Sequence, residues 1–119
     1  MSGDSLLEAG RRLGALEPVG DTDATVHYVV SGTPDGKLEV GIDIAGGHVE
    51  SLTEGKPSGA DITVTLAYDV VRSLLDGEVT ADAAYMRGAV KVEGAHAVWL
   101  LDLRDLRTAA FDALADLLD

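Results

Sequence analysis

The chain contains no cysteine. Disulfides, thiolate zinc sites, cysteine-held iron–sulfur clusters and cysteine nucleophiles are therefore excluded together. Aromatic residues are scarce, at 4% of 119 residues, so Val, Leu, Ile and Ala must build the interior. Positive charge is scarce as well: nine Lys and Arg face 21 Asp and Glu, for a formal charge of −12. Such a surface repels nucleic-acid phosphates and anionic lipid headgroups alike. It argues against nucleic-acid partners and against stable binding to an anionic membrane, and leaves a basic protein partner open. No stretch approaches the roughly 18 apolar residues needed to cross a bilayer. Asp4 and Glu8 interrupt any apolar run of the signal-peptide kind, with Arg11-Arg12 placed after it. The expected location is the cytoplasm. The length suits one domain spanning residues 1–119.

The pattern along the chain is helix, then strands, then helices. Residues 5–16 carry Leu6, Leu7, Leu13 and Leu16 on one side, with Ser5 and Glu8 at capping-box spacing and Gly14 and Pro18 at the end. Period two follows. Residues 25–31 are rich in β-branched side chains, and Thr33-Pro34-Asp35-Gly36 reads as a turn. Residues 37–44 set Leu38, Val40, Ile42 and Ile44 against Lys37, Glu39, Gly41 and Asp43. Gly46-Gly47 signals a two-residue hairpin into a strand near 48–53. Strands over 61–66 and 89–93 alternate too, so Val64, Leu66, Val90 and Val92 should face the core and Thr63, Thr65 and Lys91 the solvent. Between them lie two short helices, 70–76 capped by Asp69 and 81–87 capped by Thr80. Gly77 and Gly88 close them as left-handed C′ residues. Residues 95–118 read as helical with a break near 105–108 and an apolar stripe of Phe111, Leu114, Leu117 and Leu118. Strands with one apolar face imply a sheet covered on one side, hence an α+β fold of two layers.

Little here suggests chemistry. His27, His48 and His96 are not at ligand spacing, so no metal site is expected, and surface or hydrogen-bonded histidines account for them. No Gly-x-Ser-x-Gly elbow and no phosphate loop occurs, so neither catalytic residues nor a cofactor are expected. Asp102, Arg104, Asp105 and Arg107 read as a solvated helix face. Tyr85, Met86 and Trp99 are either core or the wall of a pocket.

Residues 61–101 carry a more specific combination. A strand and a helix ending in Gly77 lead to Tyr85-Met86-Arg87-Gly88, then Val90-Lys91-Val92-Glu93-Gly94, then Val98 to Leu101. This order resembles the sterol carrier protein family, and the upstream helix and strands fit it too. The resemblance implies a mostly antiparallel five-stranded sheet covered on one face by helices, with an apolar cavity between the layers. It also implies non-catalytic binding of a fatty acid, acyl-CoA, sterol or similar molecule. Joined to the one-sided sheet, it points to Ile42, Val64, Leu66, Leu74, Tyr85, Met86, Trp99 and Phe111 as candidate ligand contacts. Two alternatives stay open: an interaction or accessory module with a filled core, and a small enzyme using Tyr28, Tyr85, His27 or an Asp inside the cavity.

Overall fold

Alternation and glycine placement translate directly into elements. The computed structural model describes residues 3–34 and 36–115, and for residues 3–6 the backbone alone. Helix α1 (Gly3–Gly14) precedes strands β1 (Ala24–Thr33), β2 (Gly36–Ala45), β3 (His48–Glu54) and β4 (Ile62–Ala67). Helices α2 (Tyr68–Leu75) and α3 (Ala81–Met86) lead to β5 (Val90–Gly94). A π-helical turn, Val98–Asp102, then passes into α4 (Arg104–Ala113). Asp35 and residues 116–119, with Leu117 and Leu118 of the expected stripe, lie outside the described residues, as do the side chains of Ser5 and Leu6.

The five strands form one sheet in the order β3-β2-β1-β4-β5. Three pairings are antiparallel, and β1 pairs with β4 in parallel. The sheet is thus mostly antiparallel, as expected; the alternation does not show which pair is parallel, because period two fixes faces and carries no information on strand direction. A short link suffices to make the parallel pair. The chain has already run out through β2 and back through β3, so residues 55–61 need only recross the sheet to β4. They cross on the outer face. Gly55 N donates to Glu39 O at 2.7 Å, Pro57 seats on the bare backbone of Gly41, and Asp61 N donates to Thr25 O at 2.9 Å.

The inner face carries Val26, Val30, Val40, Ile62, Val64, Leu66 and Val90, all buried. On the outer face Asp43 accepts from the hydroxyls of Thr25 and Ser51. The outer face is not wholly polar and wet, however. His27 is buried, pairs across the ladder with Gly41 under the recrossing link, and its Nε2 has no hydrogen-bond partner, with Glu39 3.8 Å away. The expected surface or fully bonded histidine is corrected at this position. A bare glycine opposite it lets Pro57 close over that part of the sheet.

Helix ends follow the glycines. Gly88, at φ +79°, donates to Tyr85 O while Ala89 N reaches Ala84 O at 2.9 Å, and the Gly77 end repeats this paired closure. Thr80 caps α3 by accepting from Ala83 N at 3.1 Å. Asp69 does not cap α2. That helix begins two residues earlier than expected, at Tyr68 with Ala67 in the cap position, which leaves Asp69 in the first turn, where its charge suits the helix dipole. In α1, Glu8 accepts from both Arg11 and Arg12, which hold its carboxyl below the ordinary value. α1 packs on β3, α2 against β1 and β4, and α4 against α1 and α2.

Candidate functional site

A cavity of about 150 Å³ lies between the inner face of the sheet and the cover made by α1, α2 and α4. Val30, Val40, Ile42 and Leu66 form the floor. Leu13 of α1, Val71, Leu74 and Leu75 of α2, and Ala110, Phe111 and Leu114 at the end of the chain's last helix form the roof. The void exists because small and branched aliphatic side chains, in a chain with few aromatics, leave the space between layers unfilled. Among the described residues that line it, three side chains carry polar atoms: Tyr28, Trp99 and Arg107.

Those three are linked. Trp99, 1% exposed, donates its indole N–H to the Tyr28 hydroxyl at 3.0 Å. Arg107 lies over the Trp99 ring, its Cζ 4.4 Å from the centroid. Its Nε donates to Trp99 O at 2.9 Å and its Nη2 to Leu100 O at 3.1 Å. The sequence of α4 explains the guanidinium's place. The π-helical turn carries Leu103 N to Val98 O at 2.9 Å, five residues back, and this widened turn sets the phase of the helix after it. Leu103, Arg107, Ala110 and Leu114 then fall on one inward stripe. The break in the last helix is therefore at Leu103 rather than at 105–108. Burial pulls the Arg107 pKa below its ordinary value, with Tyr28 and Asp82 opposing the shift. A carboxylate oxygen of half-exposed Asp82 is 3.6 Å away.

The chain's relation to known proteins follows the same architecture. A model of the SCP-2 sterol transfer family matches residues 6–101. The chain belongs to the SCP-2 sterol transfer family. Among solved structures it resembles a crystal structure of sterol carrier protein 2, at 14% identity and TM-score 0.79, covering 97% of this chain and 96% of that one. The palmitated sterol carrier protein 2-like 2 of Aedes aegypti gives 18% identity and TM-score 0.71, with 90% and 95% coverage. A Thermus thermophilus protein described as possibly a sterol carrier protein gives 13% and 0.72, with 98% and 87% coverage. No relative is found among the curated proteins. At these identities the structural likeness establishes the fold. The family match ends at Leu101, before α4, so the roof residues Arg107, Ala110 and Phe111 lie beyond it.

Of the residues that the sequence brings forward, Ile42, Leu66, Leu74, Trp99 and Phe111 border the cavity. Val64, Tyr85 and Met86 do not. Val64 is on the inner face but sealed in the core at 0% exposure, and Met86 is 83% exposed. The cause is the shortness of α3, which packs on the edge strand β5 and buries only Ala81 and Ala84. Sequence pattern groups Arg107 with Arg104, Asp102 and Asp105 on a solvated face, and the structure overturns that reading for Arg107 alone, at 7% exposure. Its spacing from Leu103, Ala110 and Leu114 is the signal available in the sequence. His48 donates to Gly14 O and His96 to Gly94 O. Among the described residues no group of three or more His, Asp or Glu is placed to hold a metal, and no helix is long and apolar enough to cross a membrane.

Burial raises the Tyr28 phenol above its ordinary value of 10.0, against the opposing Trp99 bond and Arg107 charge. A raised folded-state value means stability that is fully present below pH 10 and lost as the pH climbs through the folded-state value. Urea unfolding at neutral and strongly alkaline pH should therefore show a steeper loss in the wild type than in Tyr28→Phe. Parallel losses in the two proteins would refute this assignment.

Proposed function

We propose that the protein binds and carries a hydrophobic small molecule in the cavity between its layers, without transforming it. The observation that carries this reading is the void itself: its walls are apolar, and among the described residues polar side-chain atoms enter through Tyr28, Trp99 and Arg107 alone. An apolar void of about this size stays dry and accepts a ring-sized guest. A longer ligand would extend toward α2 and α4. Burying about 400 Å² of ligand surface supplies on the order of 10 kcal/mol before the costs of association, enough for micromolar binding with few polar contacts. Fatty acids, acyl-CoA and sterols are the candidate ligands. Its structural relatives, named as sterol carriers and as a palmitated protein, support that choice. A charge of −12 fits a carrier that works in the cytoplasm and does not bind stably to an anionic membrane.

The direct test is titration with a fatty acid, an acyl-CoA and a sterol, read by emission from Trp99, the single tryptophan of the chain. At least one should saturate below about 100 μM, near −5.5 kcal/mol. Denaturing extraction of freshly purified protein, followed by lipid mass spectrometry, should release the same class of molecule. An unmoved emission spectrum with all three, and an empty extract, would overturn the carrier reading in favour of an interaction module.

A further inference from the structure

We propose that the groove between α2, α3 and α4 is a headgroup site, where Arg104 and Arg107 receive the carboxylate of an amphiphile and Asp82 is the internal counter-ion it displaces. This rests on the carrier reading of the cavity and adds an orientation, head toward the groove and tail toward the sheet. A second hollow, of about 280 Å³, lies on that side of the molecule. Its rim is polar, with Thr80, Asp82, Arg104, Thr108 and Asp112. Leu74, Arg107 and Phe111 border both this groove and the apolar cavity, so those three side chains stand between the two spaces, and a ligand that occupies both must pass them.

Of those three, Arg107 alone can meet an anion. It is 7% exposed, and its hydrogen bonds go to the neutral carbonyls of Trp99 and Leu100. A guanidinium bears five N–H donors, so these bonds leave donor capacity for an anion. Asp82 lies 3.6 Å from Arg107 and 3.8 Å from Arg104, on a side chain that is 49% exposed. At that separation and exposure the pairing is loose and screened, so a ligand carboxylate arriving with an apolar tail can replace it. Arg104, 65% exposed, supplies the second fork from the solvent side. Charge elsewhere sharpens the choice of ligand. In a chain of net −12 this rim is balanced, Arg104 and Arg107 against Asp82 and Asp112, so it has room for one negative charge in place of Asp82 and disfavours a doubly charged phosphate. A singly charged carboxylate is the better fit.

Arg107 also supports the fold, so the test uses Arg104→Gln and Asp82→Asn at near-neutral pH, with decanoate, decanol and decyl phosphate as probes. The wild type should prefer decanoate over decanol by about tenfold, the scale of one charge-assisted contact. Arg104→Gln should remove most of that preference. Asp82→Asn should enlarge it about threefold by removing the competitor. If decanol binds as well as decanoate and both variants leave the ratio unchanged, the headgroup site falls while the cavity reading stands. Tighter binding of decyl phosphate than decanoate would overturn the carboxylate assignment, and binding of none of the three would sink both readings.

Discussion

Replacing Arg107 with Met should destabilise the protein by about 2–4 kcal/mol, although Met keeps much of the apolar bulk. The substitution removes the donors that hold Trp99 O and Leu100 O at 2.9 and 3.1 Å; a buried acceptor left without a partner, as Trp99 O would be, costs about 1–3 kcal/mol, and the part-buried Leu100 O costs less. It also removes the guanidinium stacked 4.4 Å from the Trp99 ring. Relief of the buried charge offsets part of the loss, which keeps the expected figure below the sum of those costs. Arg107→Lys should recover less than half, because one ammonium cannot span two carbonyls and stack on an indole as a planar fork does. Urea denaturation measures both, and the emission of Trp99 should change in the folded Met variant. A loss within about 0.5 kcal/mol would mean that the wide turn satisfies its carbonyls by other means.

Filling the void should do the reverse, sparing the fold and removing binding. Ala110 is half-buried on α4 and borders both the main cavity and a separate small hollow of about 40 Å³ that Val26, Ile44, Val49 and Leu106 also line. Ala110→Phe places a ring where a ligand tail would lie. Affinity for decanoate should fall at least about thirtyfold, or about 2 kcal/mol. The melting temperature should hold or rise, since filling a cavity stabilises where the added volume fits. Ala84→Phe is the contrasting control. Ala84 is fully buried and away from the cavity, so its ring would overpack the core. Undiminished decanoate binding by a well-folded Ala110→Phe protein would place the ligand elsewhere.

The legible parts of this molecule are those set by short-range pattern. The two-residue period in β2, β4 and β5 puts Val40, Val64, Leu66 and Val90 inside, because the pleat leaves no other choice. Gly77 and Gly88 announce helix ends, since only glycine takes their positive φ cheaply. Long-range pairing leaves no such trace, and the parallel contact of β1 with β4 is the result. At the cavity, residues on long faces such as Ile42, Leu66, Leu74 and Phe111 can be found from periodicity. Tyr85 and Met86 cannot be placed that way, because α3 spans six residues, too few to fix which side faces inward. Arg107 is obscured by its own charge. It stands on an apolar stripe, but the neighbouring Arg104, Asp105 and Asp102 make the segment look uniformly wet.

The parallel pairing also dictates an order of assembly. β1 finds β2 through a tight turn, but its other edge waits for residues 36 positions further on, as with Val26 and Ile62. During synthesis the first three strands can zip together while the free edge of β1 stays open and its inner side chains lack a roof. The nascent meander therefore carries an unprotected strand edge until Ile62–Ala67 has left the ribosome, the interval in which it is open to chaperones and to neighbouring chains. Loop closure of that span, rather than hairpin formation, should set the pace of folding.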